Sequence, residues 1–322
     1  MALIFAPILE LRGQDYAFSQ FYANPVYLNP SMAGMNECPE IHLGYRNQWP
    51  ALGKSFVSMN FSTDFRIEKA SGAAALMVNN NRAGEGGLTD MGIGFVYAQR
   101  VRLSRDLYMS AALQIGLINR SINFSRLVFY DQINIETGIS NAHTNQQLPE
   151  ASFMVPDLST GLSVRNGKIF AGAAVHHINR PEHSFYDNSS ARFELPMKIT
   201  VHSGATLPLV PGISWSSKPE LEISPNLMYQ RQGDFQQLNF GVYLSRRYLT
   251  GGFWYRNNFK STDAVVFTVG IEAENLRFGY SYDVYVQEAT SRFGGSHEVS
   301  LGLQFNCSSK KRSGKTINWP VF

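Results

Sequence analysis

The stretch LYMSAALQIGLINR (residues 107–120) decides the fold. Leu107, Met109, Ala111, Leu113, Ile115 and Leu117 are apolar, while Ser110, Gln114 and Arg120 occupy the alternate positions. A period of two places the apolar set on one face of a β-strand and the polar set on the other. Thirteen further stretches repeat the pattern. In the first half they are Ile41/Leu43/Tyr45, Val57/Met59/Phe61, Ala73/Ala75/Met77, Met91/Ile93/Phe95/Tyr97, Leu158/Thr160/Leu162/Val164 and Ile169/Ala171/Ala173/Val175. In the second half they are Leu195/Met197/Ile199/Val201, Leu221/Ile223/Leu227/Tyr229, Leu238/Phe240/Val242/Leu244, Leu249/Phe253/Tyr255, Val265/Phe267/Val269/Ile271, Leu276/Phe278/Tyr280/Tyr282 and Val299/Leu301/Leu303/Phe305. Helical periodicity is weak throughout.

Composition narrows the class. The 322 residues carry 28 Lys+Arg against 25 Asp+Glu, a net charge of +3, with no basic stripe of the kind nucleic acid requires. Charged residues are 16%, below the roughly 25% usual in soluble domains, and aromatics reach 13%. Mean hydropathy is −0.18. No window approaches the 18 or so apolar residues of a membrane helix. A helical membrane protein and a disordered chain are both disfavoured.

Alternation alone fits a soluble sandwich as well as a barrel whose apolar face meets lipid. Connection lengths separate them. Tight turns at Ser104-Arg105-Asp106, Asn166-Gly167, Arg246-Arg247 and Ala273-Glu274-Asn275 alternate with longer connections over 79–89, 123–156, 178–192, 257–263 and 286–296. Bacterial outer-membrane barrels show this rhythm, with the tight turns in the periplasm. The stretch 207–219 breaks it, being long where a turn belongs. The expectation is an all-β, antiparallel up-and-down transmembrane barrel of about fourteen strands over residues 40–307, with both termini periplasmic.

The flanks read differently. Residues 1–13, opening MALIFAPILEL, suggest the remnant of a secretory signal peptide, so that the mature chain begins near Gln14. Residues 14–39 lack alternation and precede the first strand. Glycines recur on the polar faces, among them Gly44, Gly94, Gly172, Gly204, Gly241 and Gly302. Either the curved sheet needs them, or the lumen holds something close to its wall, for which residues 14–38 are the natural candidate. Cys38 and Cys307 flank the first and last strands, which are neighbours in a closed barrel. They are a candidate disulfide in an oxidising compartment, the alternative being two free thiols.

The chain also resembles a known family. The run QDYAFSQF (14–21) leading into YANPVYLNPSMAG (22–34) is similar to the opening of the PorP/SprF family of type IX secretion proteins. So are YRNQW (45–49), GAAVHHINRPEHSF (172–185), NLRFGYSYD (275–283), GSHEVSLGLQFNC (295–307) and the tail KKRSGKTINWPVF (310–322). Trp319 stands where the family's tail usually has Cys, so Cys307 must pair elsewhere or stay free. The resemblance implies an outer-membrane barrel with no enzymatic activity and no cofactor. It would secrete or anchor a type IX substrate, such as a gliding- or adhesin-type surface protein recognised by its C-terminal domain. Its partners would be that substrate, other machinery proteins and outer-membrane lipid. A core machinery subunit and a passive diffusion porin are the alternatives.

Candidate contact residues follow. Asn24-Pro25 and Asn29-Pro30 punctuate a plug-like segment that either docks on partners or caps the barrel. Phe124, Phe129 and Tyr130 make the longest loop unusually apolar for one facing water, so it either contacts a partner or packs on itself as a lid. Trp319 and Phe322 end a basic tail, residues 308–322, expected in the periplasm. The seven histidines form no metal or catalytic motif. His176 and His177 are adjacent on a strand, point to opposite faces and cannot share an ion. HExxH, CxxC and GxSxG are absent.

Overall fold

The computed structural model describes residues 14–53, 56–84, 87–133, 144–146, 148, 151–185, 193–211, 219–259, 262–273, 275–286 and 293–307. The strands are β1 (Glu40–Gln48), β2 (Phe56–Ile67), β3 (Gly72–Ala83), β4 (Leu88–Arg102), β5 (Leu107–Ser121), β6 (Ser152–Asn166) and β7 (Ile169–His176). There follow β8 (Lys198–Ala205), β9 (Leu207–Val210), β10 (Leu221–Gln232), β11 (Phe235–Arg246), β12 (Leu249–Asn257), β13 (Thr262–Ala273), β14 (Leu276–Tyr285) and β15 (Ser296–Gln304). Both β8 and β9 pair with β10, and only Thr206 separates them, so they form one interrupted strand. Every neighbouring pair is antiparallel, and β1 pairs with β15 from Glu40↔Gln304 to Gln48↔Ser296. The sheet therefore closes into a fourteen-strand barrel with no free edge, as lipid requires of backbone groups that have no water to bond.

Side chains point as a membrane barrel demands. Phe95, Leu113, Ile115 and Phe267 face outward and are each more than half exposed, whereas Ser159, Thr200, Ser281 and Asp283 face inward with no exposure at all. A protein in bulk water would present the reverse. Among the described residues, no helix is long and apolar enough to cross a membrane.

Several expectations need correction. Ala73, Ala75 and Met77 face inward, each at most 5% exposed, not outward. They pack, or lie beside, residues of the chain's own N-terminal segment, so an apolar set on β3 marks an internal contact and not lipid. The connection expected over 79–89 shrinks to 84–87 because β3 and β4 run further. Leu207–Val210 is strand, which shortens the anomalous 207–219 connection. The 123–156 loop ends earlier than expected, with Phe153 paired opposite Arg120 inside β6. Leu195 and Met197 precede β8. Connections after β2, β4, β6, β11 and β13, together with Glu40 and Gln304, lie at one end of the barrel, here the turn end. Those after β1, β3, β5, β7, β10, β12 and β14 lie at the loop end, although Gly233-Asp234 there is tight. Residues 1–13 and 308–322, and with them Trp319 and Phe322, lie outside the described residues.

Cys38 and Cys307 are joined in a disulfide at the turn end, with Cα atoms 5.5 Å apart. The bond lies beside the β1–β15 seam and closes a separation of 269 residues.

Candidate functional site

The lumen is occupied by the chain itself. Asn24 caps the short helix α1 (Pro25–Leu28), its Oδ1 accepting from Tyr27 N. Asn29 caps the following turn, Pro30–Met32, accepting from Ser31 N. Proline at the first position of each element suits a backbone whose N–H would have no helical partner. These short caps fold residues 24–33 tightly enough to sit within the barrel.

The segment runs the barrel's length. Asp15 N donates to Oε1 of Gln232, the last residue of β10 at the loop end. Cys38 is bonded at the turn end. Between them three groups of contacts hold the segment to the wall.

The first is a charge cluster at Ser19 and Gln20. Arg46 of β1 donates to Asp283 of β14 at 2.8 Å and to Glu298 of β15 at 3.0 Å. Arg256 of β12 reaches Asp283 at 3.0 Å and Asp263 at 2.6 Å. The Ser19 hydroxyl donates to Asp283 and accepts from Arg46, both at 2.7 Å. The backbone N–H groups of Ser19 and Gln20 donate to the two oxygens of Glu298 at 2.7 and 3.0 Å. Two guanidinium groups and three carboxylates from five different strands thus converge on two N-terminal residues. Buried charges persist only when paired and hydrogen-bonded, and here the segment completes the set.

The second group is apolar. Phe21, Tyr22, Leu28 and Met32 pack with Phe170, Met228, Tyr243, Trp254 and Val266 of the inner wall. Val26 and Ala33 pack with Ala73, Ala75, Val96, Ala98 and Ala112. Phe21 meets Trp254 edge-on, with ring centroids 5.1 Å apart. An inner wall carrying buried Trp, Tyr and Phe is shaped for a solid occupant.

The third is a close approach at Asn29. Its Nδ2 donates to Leu162 O at 3.1 Å and Ala173 O at 3.3 Å and lies 3.1 Å from His202 Nε2. A Cβ on Gly161 would stand 2.0 Å from Asn29 Oδ1, and one on Gly172 would stand 2.8 Å from Asn29 Nδ2. These two glycines make room for the asparagine. Gly34, with φ +64°, lets the chain turn against Ala73, and its carbonyl accepts from Arg66 and Arg100 at 3.0 and 2.8 Å.

A separate charge cluster tethers the loop end. His177 lies just past β7, its Nδ1 2.7 Å from Asp157 and its Nε2 2.9 Å from Asp15. Lys198 Nζ is 3.6 Å from Asp15. Burial works against charge on His177, but the flanking carboxylates outweigh it and raise the imidazole to about 10. Burial likewise disfavours the Asp15 carboxylate, and His177 and Lys198 overcome it and hold the group far below the ordinary range. The raised histidine stabilises fully below its free value of 6.5 and loses that contribution as pH climbs through about 10. The depressed aspartate contributes fully above its free value of 3.8 and loses that contribution only in stronger acid. Fluorine NMR of a trifluoromethyl tag on Gln14→Cys is therefore expected to show a sharp, mobile component growing as pH nears 10. A spectrum unchanged through that pH contradicts the tether.

Of the contact residues expected from sequence, Asn24, Asn29 and Pro30 are buried in the lumen and Pro25 is half-buried, with the asparagine side chains bonded within the chain. Phe124 and Phe129 are half-buried on the β5–β6 connection, the former 6.5 Å from the Phe185 ring, while Tyr130 is 75% exposed. Sequence reasoning missed Ser19, Gln20, Arg256, Asp157 and Gly161. Arg46, Asp283 and Glu298 lie within family-like stretches of the sequence, but nothing there gave them a role.

Several solved structures are similar to this chain. A CymD monoaromatic hydrocarbon channel matches at TM-score 0.49 and 11% identity, covering 89% of this chain and 94% of that one. A Pseudomonas aeruginosa FadL homologue matches at 0.47 and 9%, covering 87% and 94%. The Acinetobacter baumannii outer membrane protein Omp33 matches at 0.46 and 8%, covering 84% and 100%. No curated protein matches the sequence. The model of the type IX secretion system membrane protein family PorP/SprF matches residues 11–303, nearly the whole length, and the chain therefore belongs to that family.

Proposed function

We propose that this protein is a non-enzymatic, self-plugged outer-membrane barrel that secretes or anchors one type IX substrate at the cell surface through that substrate's C-terminal domain. The observation that carries the reading is the N-terminal segment, residues 15–38, lodged along the lumen and bonded to its wall, which disfavours a passive diffusion porin. The turn end, with Cys38 and Cys307, faces the periplasm and the other machinery proteins. The loop end faces outward. There the β5–β6 connection exposes Val128 (59%), Tyr130 (75%) and Ile133 (45%), a patch suited to an apolar protein partner.

A strain carrying Val128→Ser, Tyr130→Ser and Ile133→Ser together tests this reading. A single surface protein is expected to be lost to the medium, with the barrel itself present in the outer membrane at normal level. Loss of every type IX cargo would instead make the protein a core machinery subunit. Unchanged display of all of them would remove this loop from the mechanism.

A further inference from the structure

We propose that Glu40, His42 and Asp64 form a zinc site at the turn end of the lumen. Glu40 and His42 are alternate residues on the inner face of β1, and Asp64 stands directly opposite Glu40 on β2. Their side chains are 3%, 5% and 6% exposed. One donor atom from each falls within 4.8 Å of the others.

The separations are long for charge-assisted hydrogen bonds and close to those of a shared metal. His42 Nε2 is 3.3 Å from Glu40 Oε2 and 3.7 Å from Asp64 Oδ1. A charge-assisted N–H···O bond measures about 2.7–2.9 Å. Ligand bonds of about 2.0–2.2 Å around a tetrahedral zinc set the donor atoms about 3.3–3.6 Å apart. Both His42 Nε2 and Asp64 Oδ1 are buried, and the imidazole nitrogen lies between the two carboxylates with no close hydrogen bond.

The surroundings orient the donors. Asp64 Oδ2 accepts from Gly34 N at 2.6 Å, which turns Oδ1 toward the imidazole. Glu40 Oε1 is 3.0 Å from Arg277 Nη2, which turns Oε2 the same way, and the Asn36 side chain hydrogen-bonds the same carboxylate. Outer partners that fix ligand orientation are the usual companions of metal sites. One imidazole and two carboxylates suit zinc, with water as the fourth ligand. Calcium prefers six to eight oxygens and does not suit an imidazole. The metal would join β1 and β2 to the point where the N-terminal segment leaves the lumen, since Asp64 also grips Gly34.

The test uses the full-length protein in detergent, without a polyhistidine tag, stripped by a chelator and titrated with zinc against a chromophoric chelator. One zinc per chain is expected. Affinity should fall at least about tenfold in His42→Ala and in Asp64→Asn, and hold in His297→Ala, whose ring lies among outward tyrosines. X-ray absorption of the loaded protein should show one imidazole with oxygen ligands and no sulfur. Zinc should also raise the temperature at which the folded band is lost on a gel, in wild type and not in His42→Ala. Absence of stoichiometric zinc from a wild-type protein that still runs as the folded band overturns the proposal, leaving a protonated imidazole between two carboxylates. Equal zinc uptake by wild type and a folded His42→Ala overturns it too. Neither result bears on the secretion reading.

Discussion

A barrel lacking residues 15–36 is expected to conduct ions in planar bilayers, in well-resolved steps that the intact protein does not show. The deletion keeps Cys38, so the disulfide to Cys307 can still form at the seam. The wall left behind keeps its charge pairs, with Arg46 on Asp283 and Glu298 and Arg256 on Asp283. Trp254, Tyr243, Phe170 and Met228 would lose their partners and meet water. Each large apolar side chain re-exposed costs about 1.5–3 kcal/mol. The truncated barrel should therefore unfold at lower temperature on a gel while still inserting. If the segment also positions the barrel for its substrate, surface retention of the cargo should disappear with it. A folded truncation that stays silent would mean that something besides residues 15–36 blocks the lumen. Equal conductance before and after deletion would mean that the segment leaves a continuous path.

The strand pattern was legible because lipid and lumen make opposite demands on alternate residues. Leu107–Ser121 reads correctly from end to end, and each of the fourteen expected stretches overlaps a spanning strand, although Leu195 and Met197 precede β8 and Phe305 follows β15. Legibility failed where the lumen is not watery. On β3 the inward Ala73 and Ala75 are apolar because Val26 and Ala33 cover that part of the wall. An alternation rule that equates apolar with outward necessarily inverts such a strand. The charge cluster was half legible. Arg46 lies on the polar face of β1, but its meeting with Arg256, Asp283 and Glu298 depends on barrel closure and cross-strand register, which no local window contains. Glu40 and His42 share a face by spacing alone, yet Asp64 joins them only through the Glu40↔Asp64 register. Gly161 carried a signal, an inward glycine between Ser159 and Ser163, but its meaning required knowing that Asn29 presses on it.

Replacing Arg46 by methionine should release the N-terminal segment without dissolving the barrel. The guanidinium contacts Asp283, Glu298 and the Ser19 hydroxyl together, all buried. Its loss leaves Asp283 and Glu298 with Arg256 as the nearby cation bonded to Asp283, and nothing of that kind on Glu298 among the described residues. Breaking one side of a buried pair costs about 3–5 kcal/mol, because the remaining charge keeps its desolvation penalty. At about 1.4 kcal/mol per tenfold, that is two to three and a half powers of ten in whatever equilibrium yields first. The segment should yield first. Its hold on this part of the wall runs through Ser19 and Gln20, whereas the strands are held by ladders of backbone bonds closed around the barrel. Arg46→Lys should not restore it, since an ammonium cannot span two carboxylates in the planar fork geometry. Arg46→Met combined with Glu298→Gln should recover part of the loss by removing the uncompensated charge while keeping an acceptor for a Ser19 or Gln20 N–H. Proteinase K cleavage within residues 15–36, followed on detergent-solubilised protein, measures this directly. The single variant should be cut rapidly, the double variant more slowly, and the barrel fragment should survive in both. Protease resistance in Arg46→Met equal to that of wild type would show that the aromatic contacts of Phe21 and Tyr22 hold the segment unaided.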